Sequence, residues 1–282
     1  MDTTTVGTTS VAAGASGDSY RFDHPRIADI LNDMYIRADE LGPGDVIGPF
    51  DLHTTDGTVL NSADLARRAQ PVLLVFGSRT CPVTEDGADG LRNLHAQYGD
   101  QVRFVMIQVR EAHPGSLIGQ PKTFGQKLRH AVDLKAHHQL PFEVAVDDID
   151  GTFHRWLGAR PNSAYLIDPT GVIVFRAQWA NQSEAIGEAL HAVTAGRTPA
   201  RQAVTRTPQT IMRMLGHVGP VLDAAGAGAR LDTWKVAPPM AMMMTVADLF
   251  AFLPRSQRGL PAMALTIGAI GMVIGAAIRL WA

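Results

Sequence analysis

The only cysteine of the 282-residue chain, Cys81, lies in "VFGSRTCPVTEDG", residues 75–87, directly behind the apolar run Val72-Leu73-Leu74-Val75-Phe76. Such a run reads as a strand buried on both faces. Pro82 fits the first turn of a helix, where a missing N–H costs nothing. Cys81 is therefore expected where a central strand turns into a helix. The positive end of the helix dipole favours a thiolate there, so the thiol pKa is expected below its free value of about 8.5. The hydroxyls of Ser78 and Thr80 can donate to that thiolate or to a bound substrate, and Arg79 adds positive charge if it points inward. The chemistry of such a group is nucleophilic or redox attack by sulfur. The alternative is a small buried hydrophobe, although a core cysteine would sit more naturally inside the apolar run than in the turn after it.

Composition narrows the setting. The chain carries 25 basic and 27 acidic residues, a formal net charge of −2, which gives no nucleic-acid footprint. One cysteine excludes an internal disulfide and C-x-x-C metal sites, and points to a reducing compartment. Residues 1–20 are polar and small, without the basic and apolar regions of a secretory signal, and read as a disordered tail. Residues 260–278 form a charge-free stretch of 19 residues, long enough to span a bilayer. Arg255 and Arg258 precede it, and Arg279 and Trp281 close it. It reads as a single-pass C-terminal anchor with the bulk of the chain on the cytoplasmic face of a membrane; the alternative is a buried core helix. Gly271-x-x-x-Gly275 has the spacing of a close-packing homodimer face.

The elements that must position Cys81 follow from periodicity. Residues 25–40 have helical spacing. Residues 42–65 hold a hairpin signal at Asp56-Gly57, then a helix capped by Asn61 or Ser62. The strand at 71–76 leads to a helix at 83–98 and a second apolar run at 102–109. A helix near 124–138, a short strand at 142–146, a hairpin of 164–168 with 172–176 around Pro169-Thr170-Gly171, and a helix through His191 complete the pattern. Asn181 with Glu184 resembles a capping box for that last helix. The first β-α-β is a right-handed parallel crossover, and the whole is a mixed-sheet α/β domain. Residues 195–210 read as a basic linker, and residues 211–256 as one or two amphipathic helices on a membrane or on the domain.

"FGSRTCP" resembles the active-site loop of the iodothyronine deiodinases and their bacterial relatives, where Gly-Ser-x-Thr precedes a selenocysteine followed by proline. "VRFVMIQVREAHP", residues 102–114, resembles that family's strand ending in Glu-Ala-His-Pro, and "LGARPNSAYLIDPTGVIVFR" resembles its later Tyr-x-Ile and Gly-x-Ile segment. The blocks come in the family's order across residues 65–192. The resemblance implies a thioredoxin-like fold, a mixed central sheet flanked by helices, to which hydropathy adds a C-terminal helical extension and transmembrane helix. Together with composition and hydropathy this gives expected domain limits of 1–20 for the tail, 21–194 for the thioredoxin-like domain, 195–258 for linker and amphipathic helices, and 259–282 for the anchor.

The resemblance also implies that Cys81 is the nucleophile and that Glu111 and His113 lie near it. In a parallel β-α-β unit the C-terminal ends of both strands meet on one sheet edge, which agrees. His113 would then act as general acid with Glu111 orienting it; the bland readings are a solvated loop residue and a surface charge. Pro161 becomes a candidate cis-proline facing the thiol, and Arg160 beside it would meet an anionic substrate or cap its loop. The expected activity is that of a thiol-dependent oxidoreductase acting on a halogenated compound or small oxidant. No bound cofactor is expected, only an external thiol reductant such as thioredoxin or a low-molecular-weight thiol.

The chain departs from the family in carrying Cys for selenocysteine, Val83 for a second proline, and a C-terminal rather than N-terminal span. "CPVTE" also resembles the peroxiredoxin loop, and Cys81-Pro-Val-Thr84 a C-x-x-C without its second thiol. A one-cysteine peroxidase, resolved by an outside thiol, and a non-catalytic membrane-bound binding module are the alternatives. No metal site is expected: His137-His138 with Asp133 reads as a solvated helix face, and residues 147–151, "DDIDG", as an acidic turn rather than a calcium loop. P-loop and dinucleotide fingerprints are absent.

Overall fold

The computed structural model describes residues 20–37 and 39–281. Nearly all of the expected tail, residues 1–19, lies outside the described residues. Tyr20, assigned to that tail, is buried instead, with its hydroxyl 2.8 Å from His154 Nδ1. Helix α1 spans Ile27–Asp33, shorter than its periodicity suggested. Its end is held by other partners: Arg110 Nη2 donates to Asp33, the last residue of α1, at 2.9 Å, and Gln178 Nε2 donates to the Met34 carbonyl at 2.6 Å.

Strands β1 (Asp51–Thr54) and β2 (Val59–Asn61) form the hairpin expected around Asp56-Gly57, with Gly57 at φ +78°. Helix α2 (Ser62–Arg68) is capped by Asn61, whose side chain accepts the Asp64 N–H at 2.8 Å. Strand β3 (Val72–Gly77), helix α3 (Pro82–Tyr98) and strand β4 (Arg103–Gln108) make the crossover, with β3 and β4 parallel. Helix α4 (Phe124–His137) and strand β5 (Glu143–Val146) follow, then helix α5 (Thr152–Trp156), which the sequence reading passed over. Strands β6 (Ala164–Ile167) and β7 (Ile173–Ala177) and helix α6 (Ser183–Thr194) close the domain. No side chain caps α6; Asn181 donates to Asp86 Oδ2 at 2.8 Å instead.

The sheet runs β2-β1-β5-β4-β3-β6-β7-β8, where β8 is Ala203–Val204, parallel to β7. At its centre, β4-β3-β6-β7 joined as β-α-β followed by an antiparallel pair and a helix is the thioredoxin-like arrangement. Strand β3 alternates cleanly. Leu73 and Val75 face a core with Leu91, Leu94, Leu134, Ile186 and Leu190 from α3, α4 and α6. Leu74 and Phe76 face one with Leu65, Phe153 and Tyr165. Each such side chain contributes roughly 1.5–3 kcal/mol by leaving water.

The segment read as a linker is therefore part of the sheet edge. Helix α7 (Thr207–Ala225) then packs along α3, held by buried Asp86, which Arg213 Nε meets at 3.1 Å. Helices α8 (Ala229–Val236) and α9 (Pro238–Asp248) and a 3-10 turn (Arg255–Gln257) lead to α10 (Gly259–Trp281). A Cβ at Gly216 would collide with the Arg255 carbonyl, and one at Gly259 with the Met212 carbonyl, so glycine lets the root of α10 lie against α7. Among the described residues, Arg255–Arg279 is the one helix long and apolar enough to cross a membrane.

Candidate active site

Strand β3 ends at Gly77 and the turn Ser78-Arg79-Thr80 delivers Cys81 to the position just before α3, with extended backbone at φ −102°, ψ 117°. Pro82 begins the helix, so the placement expected from sequence holds. The first-turn amides of a helix have no partner within it, and the sulfur sits beside those of Val83 and Thr84, which favour its ionised form. Asn162 Nδ2 donates to Sγ at 3.3 Å.

The sulfur is nonetheless closed off. Cys81 is 2% exposed, beneath Val83, Trp179, Met34, Ala112 and Met214. Met34 belongs to the segment after α1, and Met214 to α7. Burial pushes the thiol above its ordinary range, and the donors from Asn162, Thr84 and Val83 only partly offset that. This overturns the expected depression. The helix terminus favours the thiolate, but desolvation in an apolar enclosure disfavours it more strongly.

Ser78 and Thr80 are buried and serve the loop rather than the sulfur. Ser78 Oγ accepts the Ala112 N–H at 3.3 Å. Thr80 donates through both its N–H (2.9 Å) and its hydroxyl (2.8 Å) to Glu111 Oε2, and its Oγ1 accepts the His113 N–H at 3.1 Å. Glu111, wholly buried, also takes Gln108 Nε2 at 3.0 Å and lies 2.8 Å from His130 Nδ1. Its role thus differs from the expected one: it clamps the two loops that follow β3 and β4, and its imidazole partner is His130 of α4, not His113.

The backbone of His113 is tied to Thr80, one residue before the thiol, so the expected sharing of one sheet edge holds. His113 is half-buried as a residue, and desolvation of its ring lowers its pKa to about 4. It is therefore neutral at pH 7, without the imidazolium proton that the expected general acid would donate. Arg79 is partly exposed and donates to His137 Nδ1 at 3.0 Å rather than to the sulfur. Beside it, Ile118, His130 and His137 line an open groove.

Arg160 is 1% exposed and paired with Glu40, so it meets a carboxylate of its own chain and not a substrate anion. Among the described residues every peptide bond is trans, Pro161 included. Its neighbour Asn162 is the residue that faces the thiol. Asn162, Thr84, Gln108 and His130 escaped the sequence reading. Thr84 had a signal, because it occupies the second-cysteine position of Cys81-Pro-Val-Thr84; His130 had none, since only the fold brings α4 to Glu111.

No family model matches the chain, nor does any curated protein. Among solved structures it is similar to an uncharacterized conserved protein from Geobacillus kaustophilus, at 20% identity and TM-score 0.45, covering 60% of this chain and 90% of that one. It is similar to the peroxidoxin BcpB from Mycobacterium tuberculosis, at 14% identity and TM-score 0.41, covering 56% of this chain and 99% of that one. It is also similar to a secreted Mycobacterium tuberculosis disulfide oxidoreductase, at 19% identity and TM-score 0.35, covering 44% of this chain and 79% of that one. These likenesses concern the fold and carry no activity across to this chain.

Proposed function

We propose that the protein is a membrane-tethered, thiol-dependent oxidoreductase of deiodinase-like type, with Cys81 as its single nucleophile and an external thiol as reductant. The observation that carries this reading is the position of Cys81 directly before α3, with Asn162 Nδ2 donating to its sulfur at 3.3 Å. A cysteine kept only as a small hydrophobe requires no such buried donor, whereas a sulfur that must bear negative charge does. Helix α10 supplies the tether, with the domain on the cytoplasmic face.

The chemistry balances with the thiol's own proton. Sulfur attacks iodine or another halogen of R–X, the C–X bond breaks, and the carbon takes the electron pair and the thiol proton, leaving Cys–S–X and R–H. A first external thiol displaces halide to give a mixed disulfide, and a second releases the free Cys81 thiol and a disulfide product. With a peroxide, the same sulfur would take one oxygen to give sulfenic acid and an alcohol. Glu111, through Thr80, positions the loop on which this depends.

The enclosure of Cys81, 2% exposed, favours a second reading, a non-catalytic binding module that kept the fold. One comparison separates these. Wild type and Cys81→Ser are assayed in detergent with excess dithiol, for iodide release from an iodinated phenol and for peroxide consumption. Thiol-dependent iodide release that vanishes in Cys81→Ser is the expected result. Peroxide consumption alone would move the assignment to a one-cysteine peroxidase, and equal rates with and without Cys81 would leave only the binding module.

A further inference from the structure

We infer that Glu85, His137 and His138 form a binding site for a divalent transition metal of the zinc type, where the first turn of α3 meets the end of α4. Glu85 Oε2 lies 3.0 Å from His137 Nε2 and 3.9 Å from His138 Nε2. The three ligand atoms all lie within 4.8 Å of one another. Zinc bound at about 2.0–2.2 Å in a tetrahedral field sets its ligand atoms roughly 3.3–3.6 Å apart. The group is thus one small closure from the geometry the ion requires.

A second, independent observation points to a ligand. His138 is 4% exposed, and its Nε2 has no hydrogen-bond partner although it faces Glu85. A buried ring nitrogen left unpaired is costly, and a coordinated ion would satisfy it.

The frame around the group is regular structure. The Glu85 N–H donates to the Cys81 carbonyl at 3.1 Å within α3. The His138 N–H donates to the Leu134 carbonyl at 3.1 Å, and its own carbonyl receives Arg92 Nη1 at 2.6 Å. Two imidazoles and one carboxylate suit zinc and its neighbours rather than calcium or magnesium, which want oxygen. His137 is exposed and leaves a fourth position to water. The sequence alone paired these histidines with Asp133 and left them to solvent; the fold supplies Glu85, 52 residues before His137, and buries His138.

Arg79 answers to the same site. It donates to His137 Nδ1 at 3.0 Å, and that nitrogen must carry a proton once Nε2 ligates a metal. Arg79 therefore has to release the ring, and it belongs to the turn that leads into Cys81. Its removal also takes a positive charge away from the ion.

The test is a zinc titration of the full-length chain in detergent, after stripping with a chelator, read against a metallochromic competitor, with cobalt(II) absorption as a second readout. One saturable equivalent is expected. His137→Gln and Glu85→Gln should each weaken it by at least the roughly tenfold that even outer partners of a metal ligand are worth. Arg79→Ala should bind as tightly as wild type or more tightly, and Cys81→Ser should bind unchanged. Because His138→Gln would disturb a buried position, the more exposed His137 decides the question. Absence of a saturable equivalent, unchanged affinity in His137→Gln, or loss of binding in Cys81→Ser would each overturn the site.

Discussion

Strand β3 and helix α10 are made of the same kinds of residue and meet opposite surroundings. In β3, Leu73, Leu74 and Phe76 have no exposure at all. In α10, Leu260 is 66% exposed, Ile267 63%, Met272 72% and Ile278 64%. The strand lies between β4 and β6 with helices on both faces of the sheet. The helix touches α7 and α9 at its root, where Ala262 and Thr266 are buried, and then runs on uncovered. Apolar composition says that a segment avoids water. Whether protein or lipid replaces the water is decided by what packs against it.

The largest effect expected from this contrast is all-or-none. Deletion of residues 259–282 should move the protein from the membrane pellet to the supernatant in detergent-free fractionation. A full-length chain found in the supernatant would break the comparison outright. Within the sheet, Leu74→Ala should lower the unfolding free energy by about 2–5 kcal/mol, because it leaves a cavity in a core with no slack. A urea midpoint equal to that of wild type would mean β3 is not packed as described.

Glu111→Gln should cost about 1.5–3 kcal/mol, the worth of hydrogen bonds to a charged group. It should also speed labelling of Cys81 by a disulfide reagent, since the Thr80 turn loses its clamp; unaltered labelling would separate Glu111 from the site. Acid should act more gradually. His113 and His138 are held to about 4 by burial, against about 6.5 in the unfolded chain. The unfolded state therefore binds more protons between those values. Stability is full above about pH 6.5 and falls as pH drops toward about 4. Urea midpoints taken at several pH values check this, and His138→Gln should flatten the slope; a wild-type midpoint constant from pH 7 to 4.5 would count against the burial of both rings. The smallest effect sharpens the contrast from the other side. Ile267→Ala on α10 should change domain stability by no more than about 0.5 kcal/mol, and a loss comparable to that of Leu74→Ala would show α10 to be packed against the domain.

Several elements were readable because their causes are local. The Asp56-Gly57 hairpin, the Asn61 cap and the strand before Cys81 depend on turn residues, capping and period. Failures came where distant partners intervened. The helix expected over 25–40 stops at Asp33, where Arg110 takes the Asp33 carboxylate and Gln178 the Met34 carbonyl. Asn181 turns from capping to Asp86, and residues 203–204 join a sheet edge that their basic neighbours concealed. At the site, the placement of Cys81, Thr80, Glu111 and His113 on one edge was legible, and their roles were not.

The chain's own order of residues was enough to place one sulfur at the start of a helix and one long apolar helix near the C-terminus. Strand period, helix capping and hydropathy act over a few neighbours. Tertiary structure alone decided that the sulfur is enclosed and holds its proton, that Arg160 answers Glu40, that Glu111 pairs with His130, and that Glu85 reaches His137 and His138. Desolvation and charge pairing are set by groups many residues away in the chain, and they acquire a sign only when packing removes the water between them.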